Sequence, residues 1–366
     1  MQRLQCDLIV NSNARHLQPI LSGFNMLQRN KLISLKQHFP GDAFLLRGKK
    51  ILVDKLFVNE MHLDVIINNS ILVHYDVGDS KRINEEALST CDIYFKRSYS
   101  IDYVNSYFPD EAQRIMPLGL YFLAIDNELD LYSLKRDIKF SSGINKLKSI
   151  IKHFDRKNTL TDSPYLKLFE QTPLASKDPK ILFYAKVWDP DFDGEYQLTH
   201  EDNADRVQIN QHRVSCIRAL KKAYGDKFSG GIETSKFSQK YCKDLVITNT
   251  ETTKRTNYIK LMQAHDICIA TAGLHKSVGG KFTEYLAASR SIVTEPLEYE
   301  AIGSVKAVDN YFEFTTVEEC VSVVDVLMNN VILRQKQMLK NYEYYHTFVR
   351  PDMQVKISLI TALNKV

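Results

Sequence analysis

A two-domain α/β protein is the fold class this sequence predicts, and three observations predict it. The chain has 366 residues, too long for one ordinary core and suited to two domains of roughly 150 residues plus connections. Apolar runs of strand length alternate with helical patterns along most of it. Residues 265–296, HDICIATAGLHKSVGGKFTEYLAASRSIVTEP, pack strand, glycine-bearing loop, helix and second strand into one short βαβ corner.

In the N-terminal half, CDLIV reads as the first strand, residues 17–28 as a helix and KLISL as the next strand. Further strands are expected at 50–53, 63–68, 71–75 and 92–95, with a helix at 84–89 before the last. Residues 127–179 are charged and lysine-rich without a buried-strand period, and read as an interdomain connection with helical pieces. The second half opens with ILFYA, suited to a central parallel strand. A long helix follows over 205–224, with Val214, Ile217, Leu220 and Tyr224 on one stripe and Gly225 as its C-cap. FSGGI, CKDLVI and a helix at 253–263 lead to the corner, and the tail from 318 is helix-like, interrupted at Arg350-Pro351.

Hydrophobic content of 44% and charged content of 25% are those of a soluble globular protein. A net charge of +4 is far from the clustered footprint of a nucleic-acid binder, so no nucleic acid is expected as partner. It fits attraction to anionic metabolites or to an anionic membrane surface. The start MQRLQCDLIVNSNARH lacks a signal peptide's basic-then-apolar order, and no window approaches 18 apolar residues. A cytoplasmic protein is expected, with at most a peripheral contact at the inner face of the membrane, although no amphipathic basic helix stands out. The six cysteines are scattered, with no close pair suited to zinc or a redox dithiol, and read as reduced core residues.

Open α/β sheets bind ligands at the carboxyl ends of their strands, which ranks the candidate residues. After ILFYA come Lys186, Trp188, Asp189 and Asp191; after DICIAT come Thr271, Gly273 and His275; after ILVHY come Asp76, Gly78 and Asp79. In the corner, Phe282, Leu286 and Ser289 are spaced to face a sheet, leaving Lys281, Glu284 and Ala288 on an exposed stripe. A helix start with free N–H groups, Lys281 beside it, and Gly279 and Gly280 permitting close approach together favour a phosphate. The helix dipole supplies only about 0.3–1 kcal/mol, whereas micromolar binding needs about 8 kcal/mol, so Lys281 and further contacts must supply most of the affinity. Glu284, one turn on, suits paired hydroxyls such as those of a ribose. Phosphate plus ribose implies a nucleotide.

The strand, the GLH-containing loop, KFTEYLAASRSIV and Glu295-Pro296 resemble the donor-nucleotide corner of GT-B glycosyltransferases, especially bacterial enzymes of the glycosyltransferase family 1/4 type. ILFYAKVWDP, RVSCIRALKKAYGDKFSGGI and NYEYYHTFVRP are similar to the rest of that group's C-terminal half, so the resemblance covers about residues 180–352. It implies GT-B architecture: two Rossmann-like α/β/α domains facing a cleft, with a C-terminal helix crossing back to the N-terminal domain. Residues 1–130 would form the acceptor domain, 131–178 the connection, 179–335 the nucleotide-sugar donor domain and 336–366 the returning tail. Carried over by position, Lys281 matches the phosphate-binding place and Glu284 the ribose-binding carboxylate. His275, Gly273, Gly279 and Gly280 fall in the loop facing the diphosphate and transferred sugar. Many retaining members have two glutamates separated by seven residues; here Lys276 stands at the first of these positions, so the retaining signature is incomplete.

The resemblance implies a nucleotide-sugar as co-substrate and no further cofactor. Lys281 with Lys186 or Lys276 could stabilise the leaving diphosphate without a metal. The run Asp189-Pro-Asp191-Phe-Asp193 reads as a turn rather than a metal ligand set. An inverting reaction needs a base on the N-terminal side; Asp76 and Asp79 are the best placed, His275 belongs with the catalytic candidates, and His16 is a weaker one. Ordinary turn chemistry also accounts for Asp76 and Asp79. Arg97 could meet an anionic acceptor, and Trp188, the only tryptophan, could stack on a sugar or base. The expected activity is transfer of a sugar to a glycan, lipid-linked or small-molecule acceptor, as in polysaccharide biosynthesis. A nucleotide-sugar epimerase on the same fold and a non-catalytic nucleotide- or glycan-binding protein are the alternatives.

Overall fold

The computed structural model describes residues 3–55, 61–128, 131–155, 158, 162–192, 194 and 198–366. They fall into two compact units, one within residues 1–167, 299–303 and 347–366, the other comprising 168–298 and 304–346. In chain order the strands are β1 (Leu4–Ile9), β2 (Ile33–His38), β3 (Ala43–Leu46), β4 (Lys49–Leu52), β5 (His62–Ile67), β6 (Ile71–Asp76), β7 (Ile93–Lys96), β8 (Ile115–Pro117), β9 (Ile181–Ala185), β10 (Phe228–Ile232), β11 (Ile267–Ile269), β12 (Ser291–Thr294) and β13 (Phe312–Glu313). The helices are α1 (Gln18–Arg29), α2 (Glu85–Thr90), α3 (Ile101–Tyr107), α4 (Leu131–Phe140), α5 (Ile144–Phe154), α6 (Leu166–Phe169), α7 (His200–Tyr224), α8 (Lys236–Tyr241), α9 (Arg255–Gln263), α10 (Gly280–Ala287), α11 (Val317–Asn329), α12 (Val331–Tyr344) and α13 (Pro351–Lys365).

The first unit is built on a six-stranded sheet of order β2-β1-β5-β6-β7-β8. All its strands share one direction except β5, which runs antiparallel to both β1 and β6. This Rossmann-like sheet thus carries one antiparallel strand, and the reason lies in the β5–β6 connection. Only Asn68, Asn69 and Ser70 separate the two strands, with φ of 50° at Asn68 and 56° at Asn69. Two asparagines in the left-handed region make a tight hairpin, whereas a parallel crossover needs a dozen or more residues.

One face of this sheet packs Leu8, Val65, Val73 and Phe95 against Leu17 and Phe24 near and on α1 and Val355 and Leu359 on α13. A Cβ on Gly23 of α1 would lie 2.2 Å from the Pro351 carbonyl oxygen and 2.6 Å from Val355, so only glycine lets α13 approach this closely. The Tyr75 hydroxyl is 2.8 Å from Ser358 Oγ, and Gln354 Nε2 donates to the Leu120 carbonyl at 3.1 Å. The other face packs Ile9, Ile66, Leu72 and Tyr94 against Ala87 and Leu88 of α2. Asn84 caps α2 by accepting from the Ala87 N–H at 2.8 Å, with Glu85 and Glu86 complementing the dipole.

The second unit carries a wholly parallel sheet of order β10-β9-β11-β12-β13. The chain leaves β9 for β10 on one side and continues from β11 on the other, so the strand order reverses between β9 and β11. Crevices at such a switch point are where open α/β sheets bind ligands. Helix α7 begins with a Thr199–Asp202 capping box and ends at Gly225, whose φ is 51°. CKDLVI is not a strand: residues Lys243–Leu245 form a 3₁₀ turn, and only an isolated bridge joins Val246 to Ile232. Two α/β units, each with a central sheet, are therefore present, as the fold class requires. Among the described residues no helix is long and apolar enough to cross a membrane.

Replacing Gly23 by valine forces α1 from α13 and is expected to destabilise the protein by about 1–3 kcal/mol. Urea unfolding would report it as a lowered midpoint with little change in slope; an unchanged midpoint would contradict the close approach.

Candidate functional site

The corner at the switch point is organised by a side chain from α7. Arg213 is buried and donates through Nη1 to the Lys186 carbonyl at 2.6 Å, through Nη2 to the Ala272 carbonyl at 2.7 Å, and through Nε to Thr271 Oγ1 at 2.8 Å. Its guanidinium carbon lies 4.5 Å from the Trp188 ring centre, so the only tryptophan supports this arginine. Burial pulls the Arg213 pKa down to about 10, which still leaves it charged at neutral pH. Asn210 fixes the same loop, accepting from the Trp188 N–H at 3.0 Å and donating to its carbonyl at 2.6 Å.

The loop after β11 then turns tightly. Gly273 N–H donates to the Ser277 carbonyl at 2.8 Å, and a Cβ there would meet Ser277 Oγ at 2.6 Å. His275 and Lys276 both have φ of 56°; both are exposed, Lys276 pairing with Glu298 at 2.8 Å and the His275 N–H donating to Asp205 at 3.3 Å. Glu295 after β12 accepts from the Ala272 N–H at 2.7 Å and stands 3.2 Å from His212 Nδ1. A small pocket lies here, lined by Thr271, Ala272, Ser277, Gly279, Phe282 and Glu295 among others. Gly279 is the N-cap of α10, which begins at Gly280 with no side-chain cap. The start of α10 therefore offers backbone N–H groups and the positive end of its dipole at the switch point.

Lys281 and Glu284 do not form the exposed stripe expected of them. Glu284 and Ala288 are buried and Lys281 half-buried, with Arg255 and Tyr258 of α9 set against Glu284 and Lys281. Lys281 Nζ lies 4.1 Å from the centre of the Tyr258 ring, and burial draws its pKa down to about 8 despite Glu284 nearby. Glu284 accepts from Arg255 Nη2 at 2.6 Å and from Nη1 at 3.4 Å. Lys186 contributes its carbonyl to the corner, while its side chain is exposed. Asp191 N–H donates to Asp189 Oδ1 at 3.1 Å, an ordinary turn, and Asp193 lies outside the described residues.

The second cluster sits in the first unit, at the carboxyl ends of β1, β6 and β7. Asp76 is engaged throughout: Oδ2 accepts from Lys96 Nζ at 2.8 Å and the Tyr94 hydroxyl at 2.5 Å, and Oδ1 from the Gly78 N–H at 2.8 Å. That arrangement ties β6 to β7. Asp79 pairs with Arg97 at 2.5 Å, and Arg97 lies 4.5 Å from the Tyr121 ring centre. His16 stacks on the same tyrosine at 5.2 Å, and burial together with Arg97 holds its imidazole below the usual pKa range. His16, Arg97, Tyr121 and Gln354 line one pocket.

Among the described residues one trio of metal-ligating side chains clusters: His62, Asp64 and His74, all buried. His74 Nδ1 is 2.6 Å from Asp64 Oδ1, and the two rings stack at 4.9 Å with 20° between their planes. The three ligand atoms lie within 4.8 Å of one another, and the hydrogen bonds from both histidines hold the buried Asp64 carboxylate down to a pKa of about 2.

Sequence reasoning missed Arg213, Arg255 and Tyr258. Extending the apolar stripe of α7 backwards from Ile217 lands on Arg213, Asn210 and Arg206, three polar residues in buried register. Arg255 stands in the first turn of α9, where the dipole disfavours a cation and no acid is present. Each anomaly was a usable signal.

No protein-family model matches the chain, and no curated protein matches it. Solved structures similar to it include the C-terminal domain of a glycosyl transferase group 1 family protein, LpcC, from Francisella tularensis, at 12% identity over 50% of this chain and 96% of that one, with a TM-score of 0.31. WaaG, a glycosyltransferase involved in lipopolysaccharide biosynthesis, is similar at 12% identity over 73% of this chain and 62% of its own, with a TM-score of 0.40. UDP-GlcNAc 2-epimerase from Neisseria meningitidis is similar at 12% identity over 76% and 63%, with a TM-score of 0.38. The chain thus spans less than two thirds of WaaG and of the epimerase. Likeness at this level carries no argument about activity, and the fold rests on the sheets described above.

Arg213→Ala removes the donor to two buried carbonyls and a hydroxyl, at an expected cost of about 3 kcal/mol. Thermal unfolding should fall accordingly, and hydrogen exchange at residues 271–277 should accelerate; unchanged exchange there would show that the loop does not depend on Arg213.

Proposed function

We propose that the protein is a glycosyltransferase that binds a nucleotide-sugar at the corner of its second unit and passes the sugar to a hydroxyl of a glycan, lipid-linked or small-molecule acceptor. One observation carries this reading: a helix start without a side-chain cap, at the reversal of strand order, with Lys281 in its first turn. A diphosphate placed there accepts from the first N–H groups of α10 and from Lys281. As the bond from the sugar to the diphosphate breaks, negative charge grows on the leaving oxygen, and these fixed donors stabilise it. No step in this account calls on a metal.

Glu284 is the ribose-binding carboxylate in this reading. Two of its lone pairs serve Arg255, and the others remain for hydroxyls. In the first unit, His16 is the base in this reading, ahead of Asp76 and Asp79, each of which is paired with a cation. Its depressed pKa keeps the imidazole neutral at pH 7, the state able to accept the acceptor's hydroxyl proton. Asp79 with Arg97 flanks it, and Arg97 suits an acceptor that bears an anionic group.

Lys281→Met should weaken nucleoside-diphosphate binding about tenfold or more in calorimetric titration, while its thermal unfolding stays near that of the parent. Because Lys281 loses its proton near pH 8, parental affinity should fall as pH rises through that value, and the variant should lose this dependence. Equal affinity in both proteins at pH 7 would remove Lys281 from the site.

With a panel of nucleotide-sugars and no acceptor, the protein should slowly release free nucleoside diphosphate. Epimerised donor would instead identify an epimerase, and nucleotide binding without any turnover a binding protein. His16→Ala should leave nucleotide affinity unchanged and lower transfer by about 10²–10⁴-fold. Full activity in that variant would exclude His16 as base.

A further inference from the structure

We propose that α5 is a membrane-surface helix that docks its apolar stripe into the headgroup region of an anionic phospholipid bilayer. The inference rests on no part of the sugar-transfer reading. Helix α5 carries Ile144, Leu147, Ile150, Ile151 and Phe154 on one stripe about 120° wide. An ordinary surface helix turns such a stripe toward its own core. Here the orientation is inverted. Ile144, Leu147 and Phe154 are 69%, 56% and 73% exposed, while the half-buried residues of the helix are Ser149, Lys152 and His153. The polar side makes the contacts with the protein: Lys152 Nζ stands 3.8 Å from Asp137 of α4, and Ser149 Oγ 3.3 Å from Ser141 Oγ.

Charge selects the occupant of that stripe. Residues 138–154 contain Lys139, Lys146, Lys148 and Lys152 and not one aspartate or glutamate. On the helix, Lys146 borders the stripe on one side and Lys148 on the other, so both can extend along it and raise their ammonium groups toward phosphates. A second copy docked about a two-fold axis would bring these same lysine rims against each other. An anionic bilayer meets both the apolar stripe and its cationic edges.

The protein is sedimented with vesicles of phosphatidylcholine alone and of phosphatidylcholine mixed with phosphatidylglycerol. Partitioning into the mixed vesicles should exceed that into phosphatidylcholine by about tenfold or more and fall with added salt. Leu147→Glu/Phe154→Glu should reduce binding about tenfold with an unchanged circular dichroism spectrum, and Lys146→Gln/Lys148→Gln should weaken binding several-fold and flatten its salt dependence. Absence of preference for the mixed vesicles would overturn the proposal, as would full binding by the Leu147→Glu/Phe154→Glu variant. A parent that is dimeric without lipid, and monomeric in that variant, would make a second copy the occupant and overturn it equally.

Discussion

The candidate donor corner depends on one guanidinium. Arg213 bonds two backbone carbonyls and a hydroxyl that belong to loops following different strands, and so fixes the path of the chain from Thr271 toward Gly279. Both carbonyls accept from the one guanidinium that α7 delivers. A planar group with several divergent N–H bonds can meet three acceptors at once; an ammonium on a flexible stem would hold them with far less directional control. The start of α10 faces the switch point because this loop is held short of it.

The cations of both units share a device. Arg213 rests on Trp188, Lys281 on Tyr258 and Arg97 on Tyr121. A ring face supports a cation through its quadrupole while leaving the positive charge less cancelled than a carboxylate would. Buried cations so supported keep a field available to an incoming anion. Arg97 combines both means, with Asp79 as its partner, and Asp76 is fully engaged by Lys96 and Tyr94. Two aspartates three residues apart thus meet different partners, the first a lysine and a tyrosine, the second an arginine that lines a pocket with His16.

Much of this was legible in the sequence. Apolar runs located β1, β6, β9 and β12, and Gly225 marked the end of α7, because these signals are local; its start at His200, capped by Thr199, lies five residues before the expected Asp205. Burial of Lys281 and Glu284 was not legible. Their covering comes from α9, and no periodicity within KFTEYLAA reports what another helix lays across it. The reversal of β5 was written in Asn68-Asn69, yet strand-length patterns carry no direction unless the connection is read with them. Helix α5 escaped notice because its period was set among lysines in a segment that showed no strand. Its amphipathicity was present in the sequence; that the apolar side points outward is a fact of packing alone.

Gly23 and Pro351 stand 328 positions apart in the chain, yet they touch. At roughly 5–20 residues per second, translation separates their appearance by roughly a quarter of a minute to a minute. Through that interval the side of α1 that α13 covers has no permanent cover. The second unit, which ends at His346, has all its residues before the first unit receives its last helix. The usual order, in which the N-terminal unit matures first, is reversed by a single glycine-lined contact, and the earliest-made part of the molecule becomes the part most exposed to chaperones and proteases during synthesis.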